Sequence, residues 1–290
     1  MVMKMDGIIV VNKEKGMTSH DVVNIARKAL HTKKVGHAGT LDPDATGVLV
    51  LAVNKATKAL QFLAADIKEY KAVLSLGIAT DSYDRSGRII DQKEFTGYTN
   101  LEKTIESFRG DSMQMPPIYS AIKVNGKKLY EYARNNEYVR IEPRPVKIYE
   151  IEILKTYDRY IELRVLCSKG TYIRSLCFDI AKKLGYPGHM YALERTCSGH
   201  FTIAQACSIE QLKNNDFQLI SLEDAFSSMD SLILEDRSIA IHGKKILSTI
   251  DHNVAVYDTS HHLLAIYGPD GEGHLKSLRG FFNEYLSIKA

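Results

Sequence analysis

One twelve-residue run concentrates the groups best suited to chemistry: Gly36-His37-Ala38-Gly39-Thr40-Leu41-Asp42-Pro43-Asp44-Ala45-Thr46-Gly47. Its three glycines permit tight turns and close approach of another backbone. Asp42 precedes Pro43, which biases it toward an extended conformation and projects its side chain from a loop. A carboxylate presented this way can serve as a nucleophile, or it can simply cap the turn that follows. Spacing alone leaves both readings open. Asp42-x-Asp44-x-Thr46 also matches the D-x-D-x-T pattern of aspartate-nucleophile phosphatases, which need a buried strand leading straight to the first aspartate. Gly-His-Ala-Gly-Thr-Leu is a poor strand, and the chain lacks the regular strand–helix alternation of a doubly wound sheet. That alternative predicts a magnesium-dependent enzyme indifferent to RNA.

A second feature is electrostatic. Between Pro117 and Glu150 stand Lys123, Lys127, Lys128, Arg134, Arg140, Arg144 and Lys147 against four acids, a net of +3. The same stretch holds Tyr119, Tyr130, Tyr132, Tyr138 and Tyr149. Cations interleaved with aromatics suit a polyanion with exposed bases, since Lys and Arg meet phosphates while rings stack on bases. A solvated surface with core tyrosines has the same composition. Pro116-Pro117 at one border and Pro143-x-Pro145 at the other mark the stretch as an excursion from the main fold.

These groups need elements to position them. Gly7 to Val11 reads as a buried strand. Thr18 with Asp21 resembles a capping box, followed by Val22, Val23, Ile25, Ala26, Ala29 and Leu30 at helical spacing. Val35 to Gly47 reads as a glycine-punctuated loop, and Ala56 to Ala65 as helical. Tyr70, Ala72, Leu74 and Leu76 alternate with Lys71, Val73 and Ser75, the pattern of a half-buried strand. Leu101 to Phe108 predicts a helix, Val146–Leu154 and Tyr160–Cys167 two strands, and Met190–Thr196 another. Thr171 to Leu184 has Ile173, Leu176, Cys177, Ile180 and Leu184 on one helical face, with Gly185 placed to end it. After about Ser227 the texture changes: residues 227–290 hold half of the ten histidines and a net charge of −2. Short alternating runs there (Ile239–Ile241, Asn253–Tyr257, Leu263–Tyr267) predict a small β module that begins near residue 230.

The 290 residues, 44% hydrophobic and 25% charged, exclude collagen-like, disordered and disulfide-scaffold classes. No apolar run reaches the roughly 18 residues of a membrane span. Met1 to Val11 is too short and too quickly polar for a signal peptide, so a cytoplasmic protein is expected. Cys167, Cys177, Cys197 and Cys207 form no C-x-x-C pair, and no P-loop, dinucleotide fingerprint or metal-ligand cluster is visible. No cofactor and no metal are therefore expected.

The run from Gly36 to Pro43, continued by Ala45-Thr46-Gly47-Val48-Leu49, resembles the signature of the TruB-type tRNA pseudouridine-55 synthases of bacteria. The resemblance extends to Gly7-x-x-x-Val11-Asn12-Lys13-x-x-Gly16-Met17-Thr18-Ser19, to Lys68-Glu69-Tyr70-Lys71-Ala72, and to Tyr119-Ser120-Ala121-Ile122-Lys123 with Gly126 to Arg134. Cys167-Ser168-Lys169-Gly170-Thr171-Tyr172-Ile173-Arg174-Ser175-Leu176 matches as well. Five motifs in order cover roughly residues 7 to 200. Departures are few: Asn54 stands where many members have glycine, and Glu194 where a basic residue is frequent.

The resemblance implies an α+β pseudouridine synthase fold: a mixed, largely antiparallel sheet flanked by helices, over residues 1–229. It implies an RNA-binding thumb at about 117–145 and a small β-rich PUA-like module over 230–290. The implied activity is isomerisation of uridine to pseudouridine at position 55 in the T-loop of tRNA, with the T-arm stem-loop as partner. A monomer without an obligate protein partner is expected. By the same resemblance Asp42 is the nucleophile, Arg174 its charge partner, and Tyr70 stacks on the flipped uracil and helps move the proton from carbon 5. Tyr172 and Leu193 match positions that contact the substrate nucleotide. His37 matches the histidine that holds flipped-out loop bases, and Lys123, Lys127, Lys128 and Arg134 are the thumb cations expected to meet phosphates. Arg174 falls in the first turn of a helix, an electrostatically poor place for a cation unless a carboxylate offsets the cost.

Overall fold

A computed structural model describes residues 5–63, 67–135 and 137–281. Its centre is a mixed sheet. Strand β1 (Gly7–Lys13) is buried on both faces. Its alternation sends Ile8 and Val10 into one apolar cluster and Ile9 and Val11 into another. Helix α1 (Ser19–Ala29) follows, opened by the expected box in which Thr18 and Asp21 cap each other. Strand β2 (Val35–Ala38) and β3 (Thr46–Val53) form an antiparallel pair across the expected loop. The glycine-rich run is thus shorter as a loop than its composition predicts. Pairing with β3 supplies β2's ladder, and a Cβ on Gly36 would stand 2.7 Å from the tip of the Leu60 side chain, which would have to shift. The helix expected over Ala56–Ala65 is a 3-10 turn, Asn54–Ala59, followed by a short α-turn, Leu60–Leu63; its last two residues lie outside the described ones.

Strand β4 (Ile67–Leu76) turns Tyr70, Ala72, Leu74 and Leu76 into a third cluster, as the alternation predicts. Beyond an edge strand β5 (Gly110–Gln114) comes the basic excursion. It is a tight hairpin, Lys123–Val124 against Lys127–Lys128, turned by Asn125 and Gly126 at positive φ, and a short helix α2 (Leu129–Arg134). The long strands β6 (Arg144–Tyr157) and β7 (Tyr160–Ser168), helix α3 (Ile173–Lys183) and strand β8 (Gly188–Ser198) complete the sheet. The strand order is β1-β3-β8-β4-β7-β6-β5. Its pairings are antiparallel except between β3 and β8. Helix α3 packs on β8 and β4, burying Ile173, Leu176, Cys177 and Ile180 in the third cluster, and Gly185 at φ +82 ends it.

A second, five-stranded sheet is built from β9 (Ser231–Leu234), β10 (Ile246–Leu247), β11 (Val254–Asp258), β12 (Leu263–Pro269) and β13 (His274–Gly280). It shares an apolar cluster with β1 and β3, in which Tyr257, Leu263 and Ile266 meet Ile8, Val48 and Val50. Ile239–Ile241, expected as a strand, lies in a helical turn, Ser238–Ile241. The Asp236 carboxylate accepts from the Ser238 amide and hydroxyl and starts that turn, a local preference that outweighs three β-branched or small residues. The whole is an α+β fold, as expected. Among the described residues no helix is long and apolar enough to cross a membrane.

Candidate active site

Asp42 sits at the crest of the loop between β2 and β3, and that loop is held from three sides. The Ser19 hydroxyl accepts from the Leu41 amide at 2.9 Å and donates to the Leu41 carbonyl at 3.2 Å. The Lys13 ammonium donates to the carbonyls of Glu14, Met17 and Pro43 at 2.7–3.0 Å. The Arg195 guanidinium donates to the Gly39 carbonyl at 3.0 Å and the Val48 carbonyl at 2.8 Å. Gly39 and Gly47 both take positive φ, +81 and +99, which glycine adopts without strain. Lys13 is fully buried, and burial lowers its ammonium pKa to about 8.

Opposite the loop stands Arg174, in the first turn of α3 and only 5% exposed. Its Nε is 3.0 Å from Asp42 Oδ2, and its Nη2 is 3.4 Å from Oδ1. Nη2 also donates to the Tyr119 carbonyl at 2.9 Å and Nη1 to the Ser82 carbonyl at 3.2 Å, with Asp84 Oδ2 at 3.5 Å. Two carboxylates and two carbonyls thus offset the unfavourable start of the helix. Asp84 is itself fixed, its Oδ1 accepting from the hydroxyls of Ser82 and Ser86 and the Ser86 amide. Asp42 keeps 43% of its side-chain surface open and lines both the cleft beside the pair and an adjoining hollow. Burial raises its carboxyl pKa; Arg174 opposes that, Asp84 adds to it, and Lys13 opposes it more weakly. The balance is upward.

The cleft beside the pair measures about 320 Å³, and its walls include Asp42, Tyr70, Tyr172, Arg174, Leu193 and Arg195. Tyr70 is 7% exposed and lies opposite Arg195 in the β4–β8 register. Burial raises its phenol pKa, and the neighbouring Arg195 acts against that rise. An adjoining hollow of about 550 Å³ reaches the same ion pair from the other side and is lined by Asp81, Asp84, Tyr119, Tyr130 and Arg134. It joins the basic excursion to the Asp42–Arg174 pair.

Five of the residues expected at the site, Asp42, Tyr70, Tyr172, Arg174 and Leu193, therefore share one cleft. His37 does not line it; it lies on β2, half-buried, with its Nδ1 buried and unpaired, and burial lowers its imidazole pKa. Arg134 borders the adjoining hollow and stacks on Tyr130 at 5.3 Å. Lys123 is exposed in the hairpin. Lys127 is engaged within the thumb, 2.6 Å from Glu137 and 4.7 Å above the Tyr132 ring, and Lys128 lies 5.4 Å above Tyr130. Asp84, Lys13, Ser19 and Arg195 are site residues that sequence reasoning did not single out. Arg195 alternates with Leu193 on one strand, so a period-2 reading places both on the same face. Asp84 has no such signal.

The phosphatase alternative is not supported. β2 is antiparallel to β3, and Asp44 turns away to Arg85 at 3.3 Å.

Fold and site together define the class: this is the pseudouridine synthase fold. The chain superposes on the crystal structure of a Cbf5-Nop10-Gar1 complex with a TM-score of 0.75 and 26% identity, covering 97% of this chain and 86% of that one. It superposes on an H/ACA RNP bound to a substrate RNA containing 2'-deoxyuridine with a TM-score of 0.71 and 25% identity, covering 96% and 85%. The N-terminal domain of the TruB family pseudouridylate synthases matches residues 27–173, and the C-terminal domain of tRNA pseudouridylate synthase B matches residues 174–234. The chain belongs to the TruB family of pseudouridine synthases. Relatives include the tRNA pseudouridine synthase B of Caldanaerobacter subterraneus subsp. tengcongensis, 42% identical over 93% of this chain and 97% of that protein. That of Clostridium tetani is 41% identical over 86% and 90%.

Proposed function

We propose that the protein isomerises uridine 55 in the T-loop of tRNA to pseudouridine, with Asp42 as nucleophile. The observation that carries this reading is the Asp42–Arg174 pair, two nitrogens on two oxygens, at the edge of a cleft with a strand tyrosine in its wall. The relatives are named tRNA pseudouridine synthases, which supports tRNA as the substrate. A target base in a folded loop must leave its stack to reach Asp42. A cleft of about 320 Å³ is of the size of a flipped nucleoside rather than a stem. In this reading the carboxylate adds covalently to the nucleotide, splitting one difficult rearrangement into two steps. The N1–C1′ glycosidic bond breaks, the uracil is rotated and rejoined to C1′ of the ribose through carbon 5, the adduct with Asp42 is released, and the proton lost from carbon 5 is balanced by one gained at N1.

Each neighbour has a part. Arg174 keeps Asp42 ionised against burial and aims it. Tyr70 stacks on the base, and its hydroxyl assists departure of the carbon 5 proton. Tyr172 and Leu193 close the remaining walls, and His37 holds neighbouring loop bases. Lys123, Lys127, Lys128 and Arg134 bring the thumb onto the phosphates. The two units, 1–229 and 230–290, divide the work between chemistry and a second RNA contact. Recognition of this kind reads RNA shape and loop bases more than the stem's narrow groove. Tritium release from T-arm RNA labelled at uracil carbon 5, with EDTA present, tests the reading. Release at rates typical of an enzyme is expected; none with a folded stem-loop would overturn it.

A further inference from the structure

Arg195 is the largest of the fully buried side chains, 1% exposed. Among the described residues no carboxylate pairs with it; it donates to two backbone carbonyls, and its side chain is hydrogen-bonded to the Tyr70 phenol. Burying a guanidinium without a counter-charge is costly, so its retention at a wall of the reaction cleft needs an explanation. The geometry supplies one. Gly39 and Val48 flank the loop that carries Asp42, one where β2 ends and one where β3 begins. A single guanidinium donates to both carbonyls, 2.8 Å from Val48 and 3.0 Å from Gly39, and so closes the base of the loop. The backbone of Arg195 pairs with Gly47 at the other end of the same loop, where a Cβ on Gly47 would collide with the Arg195 carbonyl. Across β4, Arg195 lies directly opposite Tyr70, and the two side chains share one face of the sheet and one cleft.

We propose that Arg195 is a positioning residue for the isomerisation: it ties both ends of the Asp42 loop and registers Tyr70 against that loop. It touches the scaffold of the site, whereas Arg174 touches the nucleophile itself. The inference rests on the reading of Asp42 and Tyr70 given above. A planar fork is required, because Arg195 reaches the Val48 carbonyl through Nε and the Gly39 carbonyl through Nη2, and lysine carries all its donors on one nitrogen and cannot span the two.

The test uses the full chain with Arg195→Lys and Arg195→Met, and T-arm stem-loop RNA labelled with tritium at uracil carbon 5. Single-turnover rate at saturating enzyme and the dissociation constant are measured for each. Displacing a reacting group by about 1 Å costs on the order of 10²-fold in rate, so Arg195→Met is expected to lose about that much with unchanged RNA affinity. Arg195→Lys is expected to lose less. A residue that only stabilises the fold would lower active fraction and affinity without this split. The second readout is a double-mutant cycle with Tyr70→Phe. The double variant Arg195→Lys/Tyr70→Phe is expected to lose less than the product of the two single losses, because both act on one alignment. Near-normal rates in both Arg195 variants, a loss of affinity that matches the loss of rate, or multiplicative losses in the cycle would each overturn the proposal. If Arg195→Met fails to fold, Arg195→Lys carries both readouts. Asp42→Asn in the same assay separates the two levels: turnover in that variant would sink the assignment of the nucleophile, whatever Arg195 does.

Discussion

Arg174 Nε stands 3.0 Å from Asp42 Oδ2 while its Nη2 stands 3.4 Å from Oδ1, so the guanidinium edge faces both carboxylate oxygens. The remaining donors are spoken for by Ser82, Asp84 and Tyr119. The pair is therefore aimed from behind as well as charged. Lysine in that position keeps the charge but lacks the fork. Arg174→Lys is expected to lower the single-turnover rate by about 10²–10³-fold, the scale of losing one well-placed donor, while RNA affinity stays near wild type. A near-normal rate with weakened binding would place Arg174 among the phosphate contacts instead.

Asp42→Asn separates function from stability. The amide is nearly isosteric but a far weaker nucleophile, so turnover should vanish while RNA binding persists. The stability effect has the opposite sign. Burial raises the Asp42 carboxyl, so the folded state favours its protonated form, and that contribution is lost as pH rises through the raised pKa. At neutral pH the ionised carboxylate is held at a cost, and the neutral amide relieves it. Thermal melting at pH 7 is expected to rise or stay level in Asp42→Asn. A clear fall would mean that the ion pair stabilises the fold outright.

The thumb cations make a salt-dependent forecast. Lys127 and Lys128 to Ala together should weaken RNA binding and reduce the log–log salt slope by up to about 0.9 per lost duplex phosphate contact. In the free protein Lys127 pairs with Glu137 at 2.6 Å, a contact that phosphate must displace. Glu137→Gln should then tighten binding at low salt, by only a small factor for a pair this exposed. Titrations at several salt concentrations check both. Unchanged slopes in the lysine variant would reduce these residues to surface charge.

What the sequence made legible follows from the range of the interactions. The β4 alternation through Tyr70 and the α3 face through Ile180 are local patterns, and both elements stand where those patterns put them. The Thr18–Asp21 box is local too. Ile239–Ile241 failed because Asp236, just upstream, offers the backbone a helical turn that apolar alternation cannot register. The site itself joins Asp42, Asp84, Arg174 and Arg195, which no periodicity connects. Asp42 and Arg174 were legible only through the family motifs. Asp84 sits in a turn whose acids and serines look like ordinary turn chemistry. Arg195 looked like one more basic residue on a strand, since only the sheet's register reveals that Tyr70 and Gly47 flank it.

Asp84 ties the pH dependence to geometry. It faces Arg174 at 3.5 Å, and its negative charge pushes the Asp42 carboxyl up, in the same direction as burial. A nucleophilic carboxylate must be ionised, so the single-turnover rate should fall on acidification, with a midpoint above the 3.8 of an ordinary aspartate. Asp84→Asn removes one cause of the rise, which should move that acid limb to lower pH. It also removes one of the two carboxylates that hold Arg174, so the plateau rate should drop even as the limb shifts. RNA affinity should change little, because neither effect removes a thumb cation. The profile is measured from pH 4.5 upward with stem-loop RNA at saturating enzyme. A limb that stays or moves to higher pH would show that Asp84 does not act on the ionisation of Asp42, and a plateau equal to wild type would show that it does not act on the aim of Arg174.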